Sequence, residues 1–120
     1  MDCIFCKIIN NELSSYTIYE DDIVKCFLDA NPDSNGHCLI IPKKHYLDIN
    51  DIDAETLSHI FVIGRKVKNL LEEKLNIDGL SFVQNNGSVQ MVKHYHLHLI
   101  PYYNEKQEKL PLEVIYNKLK

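Results

Sequence analysis

The sequence predicts an α+β domain, and three observations carry that prediction. Five short segments rich in β-branched and aromatic residues are separated by turn residues. One long stretch repeats its apolar residues at helical spacing. The length, 120 residues, suits a single domain, 1–120, with one core.

The elements follow in order. CIFCKII (3–9) reads as a short N-terminal helix. YTIYE (16–20) and DIVKCFLD (22–29) read as a strand pair joined by the acidic turn Glu20-Asp21-Asp22. ANPDSNG (30–36) has turn composition, and HCLIIP (37–42) is a third strand closed by Pro42, which cannot donate to a ladder. Asp51 or Asp53 caps the long helix, along which Leu57, Ile60, Phe61, Val67, Leu70, Leu71 and Leu75 form an apolar stripe. Arg65, Lys66, Lys68 and Glu72 fall on the other side, as a solvated face. Asp78-Gly79 ends this region. LSFVQN (80–85) and HYHLHLI (94–100) are the fourth and fifth strands. LPLEVIYNKL reads as a short helix in a tail, 102–120, with no other predicted structure. Short connections favour antiparallel pairing, with the long helix covering one face.

Composition narrows the function. Hydrophobic residues make up 45% and charged residues 25%, as in an ordinary globular protein. A net charge of −4 without a basic run argues against nucleic acid, whose binding depends on phosphate neutralisation. A local pocket can still bind a small anion. The N-terminus lacks the basic and apolar regions of a signal peptide, and no apolar run approaches the ~20 residues of a membrane span. The expected location is the cytoplasm. The four cysteines are then reduced thiols or metal ligands rather than disulfides.

HYHLHLIP (94–101) holds three of the six histidines at alternate positions. On a strand His94, His96 and His98 share one face, while Tyr95, Leu97 and Leu99 share the other. Two such imidazoles can reach one zinc ion. All three cannot, because the Cα atoms of His94 and His98 stand ~13 Å apart on a regular strand. At least one has another task. Imidazole titrates near neutrality and serves as nucleophile or donor, so a central histidine can attack phosphorus while neighbours bind phosphate oxygens.

Other residues bear on the same site. His37 begins a strand and can face the triad. His45 on its own reads as a surface residue. Cys3 and Cys6 form C-x-x-C, half of a tetrahedral zinc site, with no preceding strand for a thioredoxin-type motif. Cys26 and Cys38 sit in strands and read as buried inert thiols. Asp29 at a strand end caps the following turn or grips ribose hydroxyls. QNNG (84–87) reads as a turn.

Together, CIFCKII, YEDD (19–22), FLDANP (27–32), HCLIIPKKH (37–45), NNG (85–87) and VKHYHLHLIP (92–101) resemble the histidine triad (HIT) family, in its Hint-like branch of nucleotide hydrolases. The resemblance implies a five-stranded antiparallel sheet with one long helix, dimerised into a ten-stranded sheet. It implies cleavage of a purine nucleoside monophosphate (AMP or GMP type) from an amine, or alternatively from a dinucleoside polyphosphate. A zinc-stabilised nucleotide-binding module with little turnover is the third possibility. His96 is similar to the family's nucleophile, which forms a nucleotidyl-histidine intermediate. His98 resembles the phosphate donor, and His37 and His94 the supporting network. Asp29 matches the ribose ligand, Ile4, Phe5, Ile8, Phe27 and Ala30 the purine pocket, and Asn85 and Gln90 the phosphate side. Cys3, Cys6, His45 and His94 match the ligands of a structural zinc; no catalytic cofactor is implied. The sequence departs from the family pattern at Val89, where glycine is usual, and at Met91, where a hydroxyl residue is common.

Overall fold

Two central strands of the sheet, Val24–Leu28 (β2) and Cys38–Pro42 (β3), are buried along their whole length. Such strands are covered on both faces, and apart from Lys25 their residues are apolar. The computed structural model describes residues 3–120 and builds one antiparallel sheet, ordered β1-β2-β3-β5-β4. Its remaining strands are Thr17–Glu20 (β1), Gly79–Val83 (β4) and Leu97–Tyr102 (β5). The helices are Ile4–Ile9 (α1), Ala54–Leu75 (α2) and Leu112–Leu119 (α3). Among the described residues no helix is long and apolar enough to cross a membrane.

Strand alternation divides the core in two. Val24, Cys26, Cys38, Ile40, Leu97 and Leu99 face α2 and α3. Phe27, Leu39 and Ile41 face α1 and pack with Phe5 and Ile8. Lys25 shares that second face; its buried ammonium donates to the Ile8 carbonyl at 3.2 Å, at the end of α1 where a cation is favoured. Cys26 and Cys38 are both fully buried free thiols, and hydrogen bonding to Cys38, with burial, pushes the Cys26 thiol well up.

Asp53 caps α2 by accepting the Thr56 N–H at 3.2 Å and the Tyr46 hydroxyl at 2.6 Å. Asp51 instead closes the preceding turn, accepting from the N–H groups of Leu47 and Asp48. The buried stripe is Ile60, Ile63, Gly64, Val67 and Leu71. Burying each aliphatic side chain contributes about 1.5–3 kcal/mol. Phe61 departs from the predicted stripe: it is 42% exposed, with its ring 5.8 Å from that of Phe82 on the edge strand β4. Gly64 makes room there, since an added Cβ would sit 3.4 Å from the Phe82 ring. The helix stops at Asn76, which takes the left-handed conformation at φ 54°.

Three segments differ from the sequence reading. The fourth strand ends at Val83, two residues early. The fifth begins at Leu97 rather than His94. Its last partner on β3 faces it in the Ile40↔Leu97 pair, and Pro42, two residues on, has no N–H to continue the ladder. The Tyr95 N–H bonds instead to the Tyr46 carbonyl at 2.7 Å. The tail is tied down. Asn35 donates to the Glu108 carbonyl, accepts from the Leu110 N–H, and accepts the Tyr103 hydroxyl on its own carbonyl. Tyr116 of α3 then packs against Tyr16 with ring centres 5.2 Å apart.

Asp21 locks the β1–β2 turn. Oδ1 accepts the N–H groups of Ile23 and Val24 at 2.8 Å, and Oδ2 accepts the Tyr19 hydroxyl and His59 Nε2 at 2.7 Å. Burial raises the Asp21 pKa, but His59 and the other donors outweigh it and hold the carboxyl well below the usual 3.8. A depressed folded pKa contributes stability that is complete above the unfolded value and is lost as pH falls below it. Asp21→Asn is expected to cost about 1–2 kcal/mol. Urea melts of both proteins at several pH values check this: the difference should be full at pH 6 and shrink steadily below about pH 4.

Candidate active site and metal centre

The face of the sheet away from α2 opens into a cavity of about 910 Å³. That volume suits a small-molecule site. Phe5, Ile8, Phe27 and Leu39 make its apolar wall, Asp29 and Asn31 lie at the end of β2, and His37, His96 and His98 line it together. Phe5 sits edge-on to His96, with ring centres 5.1 Å apart. Ile4, Ala30 and Asn85 also line the cavity. Leu39, Tyr16, Ser14, Ser15 and Leu112 join them. Strand alternation from His37 would have found Leu39. Leu112 carries no sequence signal, because only the folded tail brings it there.

The histidines are ordered by fixed hydrogen bonds. The Asp33 N–H donates to His37 Nδ1 at 2.9 Å, so the neutral ring carries its proton on Nε2. That Nε2 lies 3.0 Å from His98 Nδ1 and 3.4 Å from Asp29 Oδ2. His98 Nδ1 therefore accepts, and its own proton sits on Nε2. In His96, Nδ1 donates to the His94 carbonyl at 2.8 Å, which leaves Nε2 with a free lone pair. The pair His96 and His98 thus presents one nucleophilic nitrogen and one N–H donor, with ring centres 4.9 Å apart.

Burial is the leading cause that holds His37, His96 and His98 below the ordinary histidine pKa of 6.5; the Asp29 carboxylate pulls each partly back. All three are favoured as neutral rings near pH 7, as the hydrogen bonds require. Asp29 caps the turn, Oδ1 accepting the Asn31 N–H at 2.9 Å, while Oδ2 faces His37 and His98. Asp29, His37 and His98 lie close enough together to suggest a cation site. The proton that Asp33 fixes on His37 Nε2 opposes ligation through that atom.

His94 stands apart. It is fully buried, and its Nε2 donates to the Pro42 carbonyl at 2.9 Å, so Nδ1 is bare. Burial pushes its pKa down to about 4. Nδ1 faces Cys3 Sγ at 3.4 Å, Cys6 Sγ at 3.6 Å and His45 Nδ1 at 3.1 Å, and Cys6 Sγ lies 3.3 Å from His45 Nδ1. A tetrahedral zinc ion with ordinary bond lengths has S···N edges of about 3.6 Å and N···N edges of about 3.4 Å. The set fits zinc in donor type and in spacing. In the protein alone, burial and the neighbouring Cys3 push the Cys6 thiol up to about 11; a cation would favour the thiolate. His45 is thus a member of this cluster, not a free surface residue.

Gln90 is buried and its amide donates to the Leu47 carbonyl at 2.7 Å. It braces the loop before the histidines and is not among the residues that line the cavity.

The family profile described as the HIT domain matches residues 10–105. The chain belongs to the HIT family. An uncharacterised HIT-like protein of Methanocaldococcus jannaschii is 46% identical over 103 residues, covering 84% of this chain and 79% of that one. An adenosine 5'-monophosphoramidase of Schizosaccharomyces pombe is 37% identical over 109 residues, covering 88% and 78%. Among solved structures, a zinc-bound histidine triad family protein from Mycobacterium smegmatis superposes with a TM-score of 0.91 at 32% identity, over 99% of this chain and 91% of that one. The HIT domain here therefore keeps the family's five-stranded antiparallel α+β architecture, and the solved relative extends the likeness through the C-terminal tail.

Proposed function

We propose that this HIT protein hydrolyses purine nucleoside phosphoramidates through a covalent intermediate on His96. The observation that carries the reading is the paired tautomers: a bare Nε2 on His96 beside an N–H on His98 Nε2. In the first step His96 Nε2 attacks the α-phosphorus. An N–P bond forms, the P–N bond to the amine breaks, and the departing nitrogen keeps the electron pair and takes up a proton. In the second step water attacks phosphorus and releases both a proton and His96, so protons balance over the cycle. His98 N–H stabilises charge building on a phosphoryl oxygen. Phe5, Ile8, Phe27 and Ile4, with Ala30, hold the base, Asp29 the ribose, and Asn85 the phosphate side. His37 acts through His98 by keeping its Nδ1 occupied, and His94 acts on His96 through its carbonyl.

The named amidase relative favours the amine over a dinucleoside polyphosphate as the leaving group. Wild type is expected to turn over an adenosine phosphoramidate, and His96→Ala to lose on the order of 10³-fold or more in kcat. Equal rates in the two proteins would overturn the nucleophile. AMP binding without turnover in wild type would leave a binding module in its place.

The second part of the reading is a structural zinc at Cys3, Cys6, His45 and His94, which would hold both thiolates and tie the start of α1 to the run before β5. Elemental analysis should find about one zinc per chain. Chelation or Cys6→Ser should lower Tm by about 10 °C or more. Metal-free protein of unchanged Tm would refute the site.

The third part is a homodimer through β4. This strand lies at the sheet edge, and Phe82 and Phe61 beside it are 39% and 42% exposed. An unpaired apolar edge invites a second copy, which would extend the sheet to ten strands. Sedimentation should show a dimer for wild type and a monomer for Phe82→Glu; a monomeric wild type would refute the assembly.

A further inference from the structure

The β1–β2 register sets a hydroxyl beside the Asp29 carboxylate. Thr17 on β1 pairs with Phe27 on β2, and the Leu28 N–H donates to the Tyr16 carbonyl at 3.0 Å. One residue further along each strand, Ser15 stands opposite Asp29. Paired residues share a face of a sheet, so Thr17 lies on the open face with Phe27, and Ser15 lies there with Asp29. Two contacts agree with that placement. Ser15 Oγ is 3.2 Å from Thr17 Oγ1, so both hydroxyls project from the same side of the chain. Ser15 and Asp29 also line the same cavity. Opposed Cα atoms in antiparallel strands stand about 4.5–5.5 Å apart, so the hydroxyl and the carboxylate can reach one guest. Ser15 is on the β1 side of Asp29, and His37 faces Asp29 from the β3 side, with Nε2 at 3.4 Å from Oδ2.

A vicinal diol asks for more than Asp29 can give. A carboxylate accepts hydrogen bonds and never donates. Oδ1 accepts the Asn31 N–H and Oδ2 faces the two histidines, which leaves spare lone pairs for the protons of a diol. Each sugar oxygen is an acceptor as well, and covering it without a donor costs free energy. Ser15 supplies that donor. Either hydroxyl of the Ser15–Thr17 pair can donate to the other. With Thr17 donating, the Ser15 proton is free to point at the sugar. Ser14, by comparison, is exposed, whereas Ser15 is partly buried and tied to Thr17.

We propose that Ser15, backed by Thr17, is the second half of a diol clamp with Asp29. Ser15 donates to one of the two vicinal hydroxyls of the substrate's ribose, and Asp29 accepts the protons of that diol. This inference rests on the nucleoside phosphoramidate reading above and makes Ser15 a specificity residue for ribonucleotides over deoxyribonucleotides. The ribose keeps its place while phosphorus reacts, so the contact is the same in ground and transition states and acts on KM rather than kcat.

The test uses an adenosine phosphoramidate and its 2′-deoxy and 3′-deoxy forms, with wild type, Ser15→Ala and Ser15→Thr. Wild type should favour the ribo compound over both deoxy forms. Ser15→Ala should raise KM for the ribo compound about fivefold, as the loss of one neutral hydrogen bond gives, with kcat unchanged. That rise should persist with one deoxy compound and vanish with the other, which already lacks the hydroxyl that Ser15 meets. Ser15→Thr, which keeps the hydroxyl, should keep the wild-type KM. Three results would each overturn the clamp and leave the phosphoramidate reading standing: an unchanged KM in Ser15→Ala, a rise of the same size with all three substrates, or a loss confined to kcat. Failure of wild type to turn over any of the three would overturn both.

Discussion

The pairing of β3 with β5 is the constraint on which both sites depend. These strands are far apart in sequence, and only three residue pairs join them: Cys38↔Leu99, Leu39↔His98 and Ile40↔Leu97. That register puts Leu97, Leu99, Cys38 and Ile40 on the α2 face and leaves His98 and Leu39 on the open face. It also brings His37 Nε2 within 3.0 Å of His98 Nδ1. A slip of one residue would turn the histidine into the core and expose Leu97 and Leu99, both almost fully buried. The apolar core therefore enforces the register that brings His37 and His98 together: the cost of burying a histidine opposite α2 excludes the alternative.

The end of this ladder is equally consequential. Pairing stops near Pro42, and the chain at His94–His96 is held by other bonds: Tyr95 to the Tyr46 carbonyl, His94 to the Pro42 carbonyl, His96 to the His94 carbonyl. The two histidine bonds each fix a tautomer as well as a position. His94 then turns its bare nitrogen toward the Cys3–Cys6–His45 cluster, while its carbonyl orients His96. One residue thereby links the Cys3–Cys6–His45 cluster to His96 through about two bonds of backbone.

Much of this was legible in the sequence. Two-residue alternation from His94 to Leu99 placed the three histidines and separated them from Tyr95, Leu97 and Leu99. The 13 Å argument divided their labour, and the rings do part company: His94 goes to the cysteines, His96 and His98 to the cavity. The division survives although the regular strand starts only at Leu97. What remained hidden is what depends on distant contacts. Phe61 fits the helical stripe by period, yet lies at its margin, where the sheet has run out and only the Phe82 ring remains to meet it. The bond that ties Gln90 to the Leu47 carbonyl spans 43 residues of chain and has no signal in the sequence. The tautomers are set by the Asp33 amide and by carbonyls, groups that every sequence carries and none advertises. The tail reaches the cavity through Leu112 because Asn35 fastens it there.

The loop before the histidines shows why its unusual residues need not disturb the site. Gln90 is buried and pinned to Leu47, Asn86 accepts the Ile49 N–H at 3.0 Å, and Lys93 reaches back to the Gly87 carbonyl at 2.9 Å. These bonds use Gln90, Asn86, Lys93 and backbone, and none uses the side chains of Val89 or Met91. Those two side chains are 64% and 90% exposed, so they add little to the loop's packing. The loop's path, and with it the position of His94 and His96, is thus fixed independently of what stands at positions 89 and 91. Substitution there leaves His96 and His98 where the β3–β5 register and the His94 carbonyl hold them.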